Sequence, residues 1–268
     1  MLRQVASTQD PLMTTAKQIS EHLVGVINNT PLDSFPFDHV ALTNAYPNEI
    51  YEMMLNLLPV NRYYRELKHS DAMMADGQSA RLQFPLNRAN IARLPNVQRE
   101  YWNQVLTGLD SKEVAEAWRN KFKPTIETVT GRLISAIKFR PHYTLFRDLK
   151  GYKISIHPDS PRKAITIQYY LPADESQIHL GTLFHEKNPD GNYREARAML
   201  FAPNTGYAFA VTPASYHSVK PMSVQDTPRN SLMVIINYDR GPLLEGFRAV
   251  RIRLRAWYDQ MTGLTANR

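Results

Sequence analysis

Apolar residues recur along this chain with two periods, and the change of period divides it. In the first half they return every three to four residues, the spacing of amphipathic helices. Ile19, Leu23, Val24 and Ile27 mark one such helix over 14–28. Pro47 opens a second, with Ile50, Met53, Met54 and Leu57 on one face and Pro59 as its stop. Val97, Tyr101, Trp102 and Val105 define a third over 95–106, and Val114, Ala117 and Trp118 a fourth that Ser111 caps. Pro124 starts a fifth over 123–138, which carries Ile126, Val129, Leu133, Ile134 and Ile137. A short strand, 37–44, lies between the first two. The polar stretch 61–90 reads as an irregular loop over the mouth of a site, with His69 as a surface histidine.

From residue 141 onward the period is two, that of strands. Segment 141–148 reads as a strand. Tyr152, Ile154 and Ile156 then alternate with Lys153, Ser155 and His157, and 164–171 and 229–236 are rich in β-branched and aromatic residues. The polar stretch 171–201 reads as a lid or substrate loop, turning at Pro189-Asp190-Gly191, with His185 solvated. Segment 201–211 turns at Asn204-Thr205-Gly206 and alternates Tyr207, Phe209 and Val211 towards His217. Past residue 238, Arg248, Arg251, Arg253 and Arg255 form a basic stripe interleaved with Val250, Ile252 and Leu254. The pattern is that of an α+β chain and one domain, 1–268. Residues 1–140 are mainly helical support with a short strand and an irregular loop, 141–240 a strand-rich core, and 241–268 a C-terminal extension.

Composition narrows the setting. With 43% hydrophobic residues in 268, there is enough apolar material for one large domain. Cysteine is absent, so disulfides and thiolate metal sites are excluded and a reducing cytoplasm is the simplest home. The longest apolar runs are too short to span a bilayer, and the first residues carry no apolar stretch of signal-peptide length. The formal net charge of +7 favours anions, either an acidic ligand or nucleic acid. We read the basic stripe as a solvated face in preference to a nucleic-acid contact. Nothing in the pattern specifies an oligomeric state.

The candidate chemistry centres on His157-Pro158-Asp159. Two residues apart on an extended chain, an imidazole and a carboxylate leave on one face. His217 is a distant third ligand, and Arg229 opens the strand-like run that follows it. Two histidines and one carboxylate suit a divalent metal that takes mixed nitrogen and oxygen donors, and this is the facial triad of non-haem Fe(II) oxygenases. Arg229 offers two parallel donors that match a carboxylate and keeps its charge at any working pH. His185-Glu186 lacks the second histidine that a zinc-protease helix would need.

These residues resemble the Fe(II)/2-oxoglutarate-dependent dioxygenase superfamily, and its prolyl-hydroxylase-like branch most. The matching pattern runs from Thr144 to Tyr238. It comprises His157/Asp159, Tyr170-Leu171, Gly181-Thr182, Pro203-Asn204-Thr205-Gly206, His217 and Arg229-Asn230-Ser231. The resemblance implies a double-stranded β-helix core (jelly-roll or cupin-like) over 141–240, braced by the N-terminal helices. It implies that His157, Asp159 and His217 are the catalytic metal ligands for Fe(II). It also implies that Arg229, Ser231 and Tyr170 bind the distal carboxylate of 2-oxoglutarate. Arg147, ten residues before His157, is placed to reach the 1-carboxylate or the substrate, with a surface arginine as the alternative. O2 would be the oxidant, with ascorbate as an accessory reductant. Asp159 fills the position that halogenases of this superfamily leave for halide, so hydroxylation of a small molecule, such as an amino acid or other metabolite, is the expected outcome. The alternatives are a hydroxylase of protein or nucleic acid, a cupin-like metal-dependent isomerase and a non-catalytic jelly-roll binding module.

Overall fold

The structure, a computed structural model, describes residues 11–68 and 70–239. His69 and the basic stripe 248–255 lie outside the described residues. Helix α1 (Pro11–Asn29) is followed by strand β1 (His39–Leu42) and helix α2 (Asn48–Asn56). Then come β2 (Arg65–Glu66), β3 (Arg81–Pro85) and the single turn α3 (Arg88–Ile91). Three helices complete the first half: α4 (Asn96–Leu109), α5 (Lys112–Lys121) and α6 (Lys123–Thr130). The second half is all strand: β4 (Phe139–Asp148), β5 (Ile154–His157), β6 (Lys163–Tyr170), β7 (Thr182–Lys187), β8 (Tyr193–Met199), β9 (Gly206–Ala210), β10 (Tyr216–Val219) and β11 (Arg229–Tyr238).

The strands form two antiparallel sheets, ordered β1-β9-β6-β11-β4-β3-β2 and β5-β10-β7-β8. From β4 onward the chain alternates between them, except at the β7–β8 hairpin, which stays in the smaller sheet. That alternation is the winding of a double-stranded β-helix, and it brings β5 beside β10 although they are far apart in sequence. One face of the larger sheet carries Leu145, Ile165, Ile167, Tyr169, Leu232, Val234 and Ile236, packed against α4, α5 and the other helices. The other face meets the smaller sheet across a second core that includes Phe184, Tyr207 and Phe209. Trp102 and Trp118 are buried anchors of the helical layer, and Trp102 Nε1 donates to the Leu57 carbonyl at 2.6 Å. Among the described residues no helix is long and apolar enough to cross a membrane.

Local sequence explains where the helices begin and end. Ser111 accepts a hydrogen bond from the Val114 amide, so the cap expected for α5 is in place. Glu113 in its first turn and Arg119 and Lys121 in its last agree with the helix dipole. The helix expected over 123–138 stops at Thr130. Gly131 takes φ +63°, a left-handed C-cap that only glycine adopts without strain. Val129 and Leu133, expected on an inner face, are exposed as a result.

Two further expectations are corrected. Segment 61–90 is not an irregular loop throughout, because β3 within it pairs with β4 and extends the larger sheet. Nor is 171–201 a lid. Its second half is the β7–β8 hairpin, which turns through 188–192, with Gly191 at φ +87° where Pro189-Asp190-Gly191 signals a turn. β8 is polar because it is an edge strand with mostly exposed side chains. His185 is accordingly buried, with Nε2 2.7 Å from Ser218 Oγ, not solvated. Gly181 precedes β7 at a crossing so close that a Cβ would sit 2.1 Å from the Met199 carbonyl oxygen.

Candidate metal centre and diacid cavity

β5 and β10 pair so that His157 and His217 stand directly opposite one another. Their ring centroids are 4.4 Å apart. Pro158 ends the strand after His157, and the turn brings the Asp159 carboxylate beside both rings. One ligand atom from each of His157, Asp159 and His217 can be chosen so that all three lie within 4.8 Å of one another. The structure therefore brings together three residues that the sequence holds far apart.

The imidazoles are oriented from behind. His157 Nδ1 bonds the Ser155 carbonyl at 2.8 Å, and His217 Nδ1 bonds the Ser215 carbonyl at 3.0 Å. Each ring donates to the carbonyl two residues before it, and this fixes the tautomer with Nε2 as a lone-pair donor. Burial pushes the His217 imidazolium down to about 4, so the ring is neutral and competent to ligate near pH 7. Burial pushes the Asp159 carboxyl up, but Lys163, His217 and Thr166 outweigh it and hold the group below the usual carboxylate range. Two imidazoles and one carboxylate, each backed by hydrogen bonds, fit a divalent metal.

A cavity of about 310 Å³ opens from this cluster into the space between the sheets. Arg81, Lys163, Thr166, Gln168, Thr182, Tyr207 and Arg229 are among the residues of its wall. On the larger sheet, β3, β4 and β11 align Arg81, Asp148 and Arg229 in one row of the ladder. Arg229 is fully buried. Its Nη1 donates to Asp148 Oδ2 at 2.7 Å and its Nε to the Leu180 carbonyl at 2.6 Å. Arg81 Nε lies 2.9 Å from the other oxygen of the same carboxylate, and its Nη1 bonds the Tyr152 hydroxyl. One buried carboxylate thus holds two guanidinium groups on the cavity wall. Sequence reasoning missed Arg81 and Asp148. The available signal was the alternation of Arg81 and Gln83 with Leu82 and Phe84.

The other expected contacts sort differently. Tyr170 and Ser231 are buried behind the wall and do not line the cavity. The Tyr170 hydroxyl bonds Thr182 and the Met199 carbonyl, and its ring lies 5.1 Å from the Arg229 guanidinium. Ser231 Oγ accepts from Gln168 Nε2 at 2.8 Å, while Tyr207 donates to the same amide's oxygen at 2.6 Å. They support wall residues instead of forming the wall. Arg147 is a correction: it faces the helices. It bonds Asn61, the Pro59 carbonyl and Asn230, and it lies over the Tyr64 ring at 4.7 Å. The reason is the strand period. Phe146 lines the cavity and Asp148 braces its arginines, so Arg147 between them must point the other way.

The winding of the sheets is a double-stranded β-helix, a fold that this chain shares with a solved prolyl-4-hydroxylase. A prolyl-4-hydroxylase from Pseudomonas putida superposes with a TM-score of 0.50 at 11% identity, covering 83% of this chain and 100% of that one. A 2OG-Fe(II) oxygenase family oxidoreductase from Burkholderia pseudomallei aligns with a TM-score of 0.49 at 14% identity over 88% of this chain and 93% of that one. A prolyl hydroxylase from Trichoplax adhaerens, solved with a peptide of hypoxia inducible factor, gives 0.48 at 14% identity over 86% and 94%. No protein-family model matches the sequence, and no curated protein does.

Proposed function

We propose that this protein is an Fe(II)- and 2-oxoglutarate-dependent oxygenase that hydroxylates an unactivated C–H bond of a small molecule, such as an amino acid or other metabolite. The observation that carries the reading is the convergence of His157, Asp159 and His217 at the mouth of a cavity with a buried arginine on its wall. When bound there, Fe(II) with 2-oxoglutarate and O2 supplies the oxidising power for C–H cleavage, coupled to loss of CO2 and formation of succinate.

The chain's own residues supply position and charge. His157, Asp159 and His217 would hold the metal on one side and leave the cavity side for ligands. Arg229 would pair with the distal carboxylate of the co-substrate through its donors not already used by Asp148, Leu180 and Thr182. Thr182 and Tyr207, both on the wall, take the supporting places expected of Ser231 and Tyr170. Charge balance supports a dianion. Lys163, Arg81 and Arg229 face the carboxylates of Asp71 and Asp159 on the wall and Asp148 behind it, so the site is formally neutral by itself. A divalent metal makes it +2, the complement of a dicarboxylate. A cavity of about 310 Å³ falls at the small end of the roughly 300–1,000 Å³ of ligand sites, which suits a small dicarboxylate.

The test is a succinate-release screen over metabolite pools with Fe(II), 2-oxoglutarate and ascorbate present. Release that depends on a pool and disappears in His157→Ala supports the reading. Failure to bind 2-oxoglutarate in the presence of metal would overturn it.

A further inference from the structure

Of the three ligand groups, only the Asp159 carboxylate is already paired with a cation. Lys163 Nζ lies 2.5 Å from Oδ1, and Thr166 Oγ1 donates to Oδ2 at 2.6 Å. Each oxygen keeps a further lone pair, but a metal that approaches Oδ1 meets the charge of the ammonium already there. The histidines present no such obstacle, because their engaged nitrogens are the Nδ1 atoms facing backbone carbonyls.

The two partners differ in how easily they yield. Thr166 is buried, sits inside β6 between β9 and β11, and has a β-branched side chain with few rotamers. Lys163 is the first residue of β6, its side chain is 28% exposed, and four rotatable bonds carry its ammonium. An ammonium and a divalent metal repel one another when both approach Oδ1.

We propose that Lys163 is the resident cation of this site. Its ammonium keeps the buried Asp159 carboxylate paired and aimed while Thr166 anchors Oδ2, and it gives up Oδ1 when a divalent metal binds. Resting on the reading above, the inference goes beyond it in making Lys163 a positioning residue that sets metal affinity by competition. Lys163 lines the cavity, so the same displacement delivers a free ammonium to the wall beside the metal. Metal therefore binds before any anionic group that Lys163 holds.

The experiment compares apparent Co(II) affinity, by chelator competition, in the wild type, K163M and K163R, alongside thermal stability without metal. The expected result is that K163M binds Co(II) roughly tenfold more tightly, the effect of removing one like charge at this range. K163R, which keeps the charge, stays within about twofold of wild type by the same reasoning. K163M should also be less stable without metal, since its Asp159 charge is buried and unpaired. Lower stability together with tighter metal binding is a combination that a merely structural lysine does not produce. If K163M does not fold, K163Q replaces it with the same expectation. Equal or weaker Co(II) binding by the uncharged variant, with wild type binding normally, overturns the role of Lys163 and leaves the metal site standing. Absence of Co(II) binding in wild type and variants alike overturns the metal site, and this inference with it.

Discussion

Two neighbouring rows cross the same three strands of the larger sheet. In one, Arg81, Asp148 and Arg229 stand side by side; one residue along, Leu82, Arg147 and Asn230 do. The first row faces the smaller sheet, where burial is complete enough that each arginine needs Asp148. The second faces the helices near the sheet's edge, where Arg147 finds amide and carbonyl partners and an aromatic ring. The same residue type, arginine, is a cavity-facing charge in one row and a packing element in the next. The pleat decides which, because a register shift of one residue exchanges the faces. One face of the sheet therefore carries the larger apolar core and the other the charged cavity, and substitutions should separate them.

The largest separation is expected at the triad. His157→Ala or Asp159→Ala should abolish succinate release while circular dichroism stays native, because neither side chain belongs to the apolar cores. Wild-type rates in either variant would contradict the metal assignment. On the opposite face, Trp118→Ala should cost about 3–5 kcal/mol of unfolding free energy, as large buried aromatics do. Its folded fraction should keep its affinity for metal and 2-oxoglutarate, as measured by calorimetric titration. A loss of affinity comparable to that of a triad variant would show that the two faces are coupled.

Arg229→Ala should weaken 2-oxoglutarate binding by about 1.5–3 kcal/mol, the worth of a charged hydrogen-bonded contact. It should also lower thermal stability, because Asp148 keeps only Arg81. An unchanged 2-oxoglutarate requirement would remove Arg229 from the site. Arg147→Ala is the matched control one residue from Asp148. It should leave that requirement within error and lower stability by about 1–3 kcal/mol, since its part-buried hydrogen bonds to Asn230 and the Pro59 carbonyl are lost. A further effect concerns pH. Burial holds His217 neutral down to about 4, whereas an unfolded histidine protonates near pH 6.5. The unfolded chain then binds the extra proton between those values, so stability in the presence of chelator should fall as pH drops from about 6.5 towards 4. Substituting His217 with Asn should flatten that part of the profile in denaturant titrations.

The comparison also explains what the sequence could and could not disclose. The strand cores were legible because β6 and β11 are rich in β-branched and aromatic residues, many of them buried, and the triad because its histidines and aspartate stand in a recognisable pattern. Strand β8 was not, since an edge strand with polar side chains looks like a loop. The end of α6 was not, because apolar spacing continues past Gly131 into residues that prove to be exposed. Arg81 and Asp148 escaped for a different reason. A cross-strand ion pair is defined by register between distant segments, and neither residue is unusual within its own neighbourhood. Arg147 was misjudged by the same route, since distance along the chain from His157 says nothing about which face of β4 it takes.

The central claim is that three side chains from β5, its following turn and β10 bind one iron that also holds 2-oxoglutarate. Anaerobic addition of Fe(II) and 2-oxoglutarate to the protein, followed by visible absorption, tests it most directly. The account predicts a charge-transfer band that saturates at one iron per chain, is lost in His157→Ala and needs much more 2-oxoglutarate in Arg229→Ala. A protein that develops no band, or one whose band survives the loss of His157, would contradict it.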